Sequence, residues 1–382
     1  MKLLWQLLFG TLLLIASAAR AALPIVADLS LTPQLLPCRV WPVVAPLPAP
    51  DGLRPCCAFG YNLKARLLGI PVPFYTLDNV IEANKTGTHH YNHRHLTVLL
   101  TLAGINDEKN GLIYTHRGGF IDSAHVRDTA DMTLFIFSHI WPMLGQPARL
   151  ALEDELASRK IVLFPLAPPT DARQGYAIAA WLSASLAFQV AAWHEIAQWY
   201  GYQSVPGFPE GISAFSPEDL YSNLLGARLA VTLILRGQAA SVTQYNAAMS
   251  AILPNALAQL NAVSAEKTRF MFDMLDGVWW NSRRRIPDKF LLLRRNYDTS
   301  DERLPTASSL ENSVPLPLRL PQRIFGYTLD QSGELRLYCG KNMKSLPHPA
   351  TFWHWRDFAT LASMARIQDK RSLAEKMQHA AR

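Results

Sequence analysis

The chain has 382 residues, is 49% hydrophobic and carries a formal net charge of +7. That apolar content excludes a disordered chain, and the length suits one large domain or two smaller ones. The basic surplus lies mainly in Arg283 to Arg285, Arg294, Arg295 and the C-terminal tail; it reads as a solvated face or a peripheral contact with an anionic membrane surface, and no nucleic-acid partner is expected.

Residues 1–21 hold an uncharged run from Leu3 to Ala19 followed by Ala19-Arg20-Ala21, the pattern of a signal peptide cut near Ala21. A periplasmic or secreted protein is expected, and Cys38, Cys56, Cys57 and Cys339 then make an even count in a compartment that permits disulfides. A Cys56–Cys57 bond would be strained, so Cys38 is expected to pair with one of them and Cys339 with the other or with nothing. Residues 22–55 are Pro-rich and read as an extended strap. In the main domain, 56–295, a short helix is expected over 62–68. The stretch from Ile70 to Asn84 mixes extended chain with a helical turn opening at Thr76 or Asp78, and neighbouring strands are expected at 96–103 and 112–116.

Helices are expected over 120–140, 150–160, 174–200, 217–235, 242–260 with a kink at Pro254, and 264–280. The uncharged stretch 176–193 is long enough to invite a membrane reading. Its Ser, Gln and Ala content is weakly apolar and His194-Glu195 continues the same helix, so it reads as the buried centre of a helical domain. Residues 296–322 read as a linker. Residues 323–382 read as an appendage: a hairpin turning at Gln331-Ser332-Gly333, then a helix with a basic end. The fold class is α+β, a predominantly helical core with a small antiparallel β element and a C-terminal β-hairpin plus helix.

The densest chemistry lies in GLIYTHRGGFIDSAHVRDTAD, residues 111–131. Gly118 and Gly119, between a strand and a helix start and beside Arg117, suggest a turn whose amides hold an anionic substrate group. On a helix, Asp122, His125 and Asp128 share a face, while Arg127 and Asp131 fall opposite as a surface pair. Upstream, His116 is able to converge on the same space. A histidine flanked by carboxylates suits a metal ligand or an oriented base.

His194-Glu195 opens like the His-Glu-x-x-His motif of zinc peptidases, but Gln198 stands at the second histidine position. Glu218 lies at a spacing suited to a third ligand, with helix capping as its ordinary explanation. A buried His-Glu pair still needs a partner, which Asp122, His125, Arg117 or Arg127 would supply. The run His89-His90-Tyr91-Asn92-His93-Arg94-His95 reads as an exposed loop without a fixed metal. Cys57 followed by His116 has the order and spacing of a thiol hydrolase or acyltransferase, although the Asp-Cys-Ser/Gly signature of such enzymes is absent.

RPCCAFG, GLIYTHRGGFIDSAHVRDTAD, WHEIAQWYG and FSPEDLYSNLLGARLA together resemble an exported bacterial protein family of unknown function, over roughly Arg54 to Leu235. The resemblance implies an envelope origin and assigns no activity. The leading expectation is an envelope hydrolase acting on an ester, amide or phosphoester of lipid or cell-wall material. Asp122, His125 and His194 would hold a divalent metal such as zinc, Glu195, His116 and Asp128 would do acid–base work, and Arg117, Gly118 and Gly119 would bind substrate. The alternatives are the Cys57/His116 thiol enzyme and a non-catalytic binding protein for a small anionic ligand.

Overall fold

A computed structural model describes residues 26–30, 41–50, 54, 58–67, 70–91, 107–167, 169–204, 209–306, 313–341, 343 and 345–380. The expected signal segment, the strand at 96–103 and Cys38, Cys56 and Cys57 lie outside them. Six helices among the described residues and several small sheets make the fold α+β.

Three helices carry the centre: α1 (Ser123–Ile140), α2 (Ala172–Trp199) and α3 (Asp219–Leu235). All seventeen residues of α3 are buried, and only Asp219 and Arg228 among them are charged, so the helix is held by neighbours on every side. The stretch that invited a membrane reading lies in α2, whose apolar window is mostly buried inside the protein. Gly226 sets the α1–α3 crossing: a Cβ there would lie 2.0 Å from the carbonyl oxygen of Val126, so only glycine allows the two backbones to approach so closely. Asp219, Asn223 and Gly226 recur at helical spacing, so the face that meets α1 also carries polar groups. Around this centre pack α4 (Val242–Gln259), which contains Pro254, then α5 (Ala265–Leu275) and α6 (Phe358–Ala380).

Several local expectations change. Residues 63–67 form a strand, β1 (Leu63–Leu67), rather than a helix, because they pair antiparallel with β2 (Ile70–Leu77). The strand β3 (Leu112–Thr115) takes as partner β4 (Gly119–Asp122), the segment expected to open a helix. Gly118 and Gly119 are thus the hairpin turn: Gly119 has φ of 67° and Gly118 N donates to Thr115 Oγ1. The helix starts only at Ser123. Residues expected as an acidic helix near 150–160 form β5 (Ala148–Ala151), a turn, and β6 (Ser158–Leu163), whose burial alternates over its first four residues before Ile161 to Leu163 all enter the core.

At the C-terminal end, a two-residue strand, β7 (Arg285–Ile286), runs parallel to β1. The expected 296–322 linker is anchored to the core instead. Its Leu316 N donates to Arg117 O, Tyr221 Oη donates to Leu316 O, and Arg303 is buried. The expected terminal hairpin does not close on itself: β8 (Gly333–Tyr338) pairs with β6 on one side and β9 (Phe352–Trp353) on the other. Pairing across the domain leaves Leu335 and Leu337 in the main core, so the C-terminal region is part of one body.

Candidate functional site

Asp122 is the N-cap of α1. Its backbone is extended, with φ −92° and ψ 113°, its Oδ1 accepts from Ala124 N at 2.7 Å, and its own N donates to Ser222 Oγ of α3 at 3.0 Å. His125 follows on the first turn, and Asp219 arrives from the first turn of α3. One ligand atom from each of Asp122, His125 and Asp219 lies within 4.8 Å of the other two, and all three residues are buried. His125 Nε2 is 3.4 Å from Asp219 Oδ1, while Nδ1 lies 3.3 Å from the Asn223 side-chain amide. The Asn223 Nδ2 group donates to Nδ1, which fixes the ring and leaves the proton of the neutral imidazole on Nε2, facing Asp219.

More acid surrounds this triad. Glu195 on α2 accepts from Phe215 N through Oε2 at 2.6 Å, and Glu218 accepts from Ser216 Oγ at 2.7 Å. Among the described residues, neither oxygen of Asp219 has a hydrogen-bond partner, nor has Glu195 Oε1 or Glu218 Oε1. Buried carboxylates of one sign raise one another's pKa. Burial pushes Glu195 up to about 7 against the pull of His194. Burial and the nearby Asp122 and Glu195 carry Glu218 to about 8, and burial with Glu195, Glu218 and Asp122 holds Asp219 well above the usual carboxylate range. Burial and the charge of His194 drop His125 to about 3, so its ring is neutral.

His194 stands beside the cluster with Nδ1 3.3 Å from Glu155 Oε1. Burial opposes its charge, but Glu155, Glu195 and Glu210 outweigh it and hold His194 above its ordinary pKa. Glu155 comes from the β5–β6 turn, where Leu156 adopts φ of 55°, and is paired with Arg159 at 2.8 Å. A cavity of about 140 Å³ opens onto His125, His194 and Glu195, with Asp128, Tyr202 and Met132 farther along its wall.

The structure therefore places His125, Asp128, His194 and Glu195 on one cavity wall, with Asp122 beside His125 but not on that wall, and separates His116, Arg117, Gly118 and Gly119 from it. Asp128 lines the cavity but turns to Arg54, whose Nη1 lies 2.7 Å away; its carboxyl, raised by burial against that guanidinium, sits at about 6. His116 is half-buried at the end of β3 with Nε2 3.4 Å from Lys267 Nζ, and is not among the cavity's lining residues. Arg117 donates to Gln259 O, and Gly118 and Gly119 form the hairpin turn four residues before the helix. Arg117, Gly118 and Gly119 are likewise absent from the cavity wall, and the free amides expected at a helix start are not theirs. Gln198, at the failed histidine position, donates to Glu210. Cys57 lies outside the described residues, and Cys339 carries an exposed free thiol.

Arg127 and Asp131 are not a surface pair. Both are buried in a second network: Arg54 Nε binds Glu108 at 2.5 Å, Arg54 Nη1 binds Asp131 at 3.0 Å, and His89 Nε2 and Tyr245 Oη also reach Asp131. His89 is fully buried, against the expectation of an exposed histidine loop, and His90 is half-buried beside Asp107; residues 92–95 of that run lie outside the described residues.

Asp219, Asn223 and Glu155 escaped the reading of the sequence. The available signal was two adjacent acids, Glu218 and Asp219, at the start of an otherwise apolar helix, where capping needs at most one. Among known proteins, a family model described as a protein of unknown function (DUF4056) matches residues 44–309. Neither the curated proteins nor the solved structures give a match.

Proposed function

The chain belongs to this uncharacterised family, which assigns no chemistry, and we propose from the site itself that the protein is a hydrolase dependent on a divalent cation such as zinc. The observation that carries the reading is Asp219: a fully buried carboxylate whose two oxygens lack hydrogen-bond partners among the described residues, within 4.8 Å of donor atoms on Asp122 and His125. Burying a carboxyl without hydrogen bonds is costly even with His125 Nε2 3.4 Å from Oδ1, and a bound cation would remove that cost. Two carboxylates and an imidazole suit zinc, with further positions open to water or substrate. His194 takes a different role from the metal ligand expected of it.

A bound cation would supply Lewis acidity at the scissile group and acidify a water. The rest falls to the side chains. Glu195, with one oxygen fixed by Phe215 N and the other unpartnered, has a pKa near neutrality suited to taking a proton from water. His194, held protonated by Glu155, is suited to giving a proton to the leaving group. The cavity admits one small substituent, so the substrate is read as an ester, amide or phosphoester presented from a larger lipid or cell-wall molecule in a periplasmic or extracellular setting.

The test is turnover of chromogenic esters, amides and phosphoesters, and of envelope material, by zinc-loaded protein. Glu195→Gln should lower kcat by about 10²- to 10⁴-fold and leave zinc affinity within a few-fold. Zinc binding without turnover of any of these would leave a non-catalytic binding protein instead.

A further inference from the structure

The arginine run 283–285 takes no part in the site, yet it sits beside an unusual surface. On α5, Ala265, Thr268, Met271, Phe272 and Leu275 are buried. On the outer side Phe270 is 56% exposed and Met274 47%, one helical turn apart, and Val278 in the turn after the helix is 65% exposed. Elsewhere among the described residues, exposed large apolar side chains occur singly or in pairs; here three fall within nine positions.

The fold gathers cations around this patch. Ser282 binds Asp276 through its N and Oγ, which draws Arg283 alongside the end of α5. Tyr61 Oη donates to Asp273, and β1 pairs with β7 so that Lys64 faces Arg285. Lys64, Arg66 and Arg283 are exposed and Arg285 half-buried. Arg284 is paired with Asp288, and Arg269 with Asp78. The acids on the same side, Asp273 and Asp276, accept from the neutral donors Tyr61 and Ser282 and keep their charge; with Glu266, exposed one turn earlier, they number three against the four cations Lys64, Arg66, Arg283 and Arg285.

We infer that this face docks on an anionic membrane surface, Phe270, Met274 and Val278 entering the headgroup boundary while Lys64, Arg66, Arg283 and Arg285 meet lipid phosphates. Apolar side chains at the centre and cations at the rim are the arrangement by which peripheral proteins bind such surfaces, since short apolar insertion is weak until charge attraction is added. The charge complementarity selects acidic lipid over a second copy of this equally basic chain.

The test is co-sedimentation of the full chain with vesicles of phosphatidylcholine alone and of phosphatidylcholine mixed with phosphatidylglycerol. Binding is expected only to the mixed vesicles and should weaken as salt is raised. Phe270→Glu with Met274→Glu should abolish it. Arg283→Glu with Arg285→Glu should weaken it by about 100-fold, and Phe325→Glu, at an exposed site elsewhere, should leave it unchanged. Circular dichroism of each variant, expected to match the parent, separates lost binding from lost folding. Equal binding to both vesicles, binding to neither, or binding that survives Phe270→Glu with Met274→Glu would overturn the inference. So would a concentration-dependent dimer that the same double substitution dissolves.

Discussion

The start and the middle of α1 hold buried charge in opposite ways. Toward its middle, Asp131 meets Arg54, His89 and Tyr245, and Arg54 also meets Glu108 and Asp128, so each anion has a cation or donor at 2.5–3.0 Å. At its start, Asp122 shares space with Asp219, Glu218 and Glu195, and four carboxylate oxygens there lack hydrogen-bond partners among the described residues. The same helix and the same depth of burial give a satisfied network in one place and a like-charged one in the other. A satisfied network fixes structure; a like-charged one is relieved by protonation or by a bound cation.

That contrast predicts substitutions of opposite sign. Arg54→Met strands Glu108 and Asp131 and should cost about 3–5 kcal/mol in urea unfolding, while Asp219→Asn relieves repulsion and should stabilise the chelated protein by about 1–3 kcal/mol. Destabilisation by Asp219→Asn without cation would break the comparison. Gly226→Ala forces α1 and α3 apart through the Val126 contact. It should cost about 3 kcal/mol in the same unfolding assay and weaken zinc affinity in dialysis, because Asp219 and His125 lie on those two helices.

The pH dependence sharpens the difference. Glu195 and Glu218 have folded values near 7 and 8 against an ordinary 4.5. Raised carboxyl values favour the folded state fully below about pH 4.5, and that contribution is lost as pH rises through the folded values. Glu108, which Arg54 and Arg127 hold down against its burial, and Asp131, held down by His89 and Arg54, are depressed. Their stabilisation is present above ordinary carboxylate values and lost as pH falls through the folded ones. Chelated protein should therefore lose a few kcal/mol between about pH 5 and pH 8, read as a falling melting temperature, and zinc should remove most of that slope. The smallest effect is expected at the opposite end of β3: His116→Ala should change zinc affinity less than about twofold, since the ring faces Lys267.

Much of this site was legible because its parts are local. Asp122 and His125 are three residues apart, and His194-Glu195 is a charged pair inside an apolar helix, which demands a partner wherever the helix packs. The third donor was not legible: the start of α3 offers Glu218 and Asp219 a capping explanation, and only the α1–α3 crossing at Gly226 shows that Asp219 faces His125. A common face for Asp122 and Asp128 requires helical geometry at Asp122, as in a helix starting at 120. With Asp122 extended as an N-cap, the regular angular spacing starts later and Asp128 turns to Arg54, an interaction across 74 residues that no local pattern announces. Long-range pairing with 333–338 made a strand of residues 158–163, and a local hairpin with 70–77 made one of 63–67; in both, β partners overrode helix propensity.

We propose that the cluster at the start of α1 is built around a cation. Equilibrium dialysis of metal-stripped protein and of Asp219→Asn against zinc, with metal analysis of the protein compartment, tests it most directly. Saturable binding by the parent, weakened by at least about 100-fold in Asp219→Asn, is the predicted result. No saturable binding, or binding that Asp219→Asn leaves unchanged, would contradict the account.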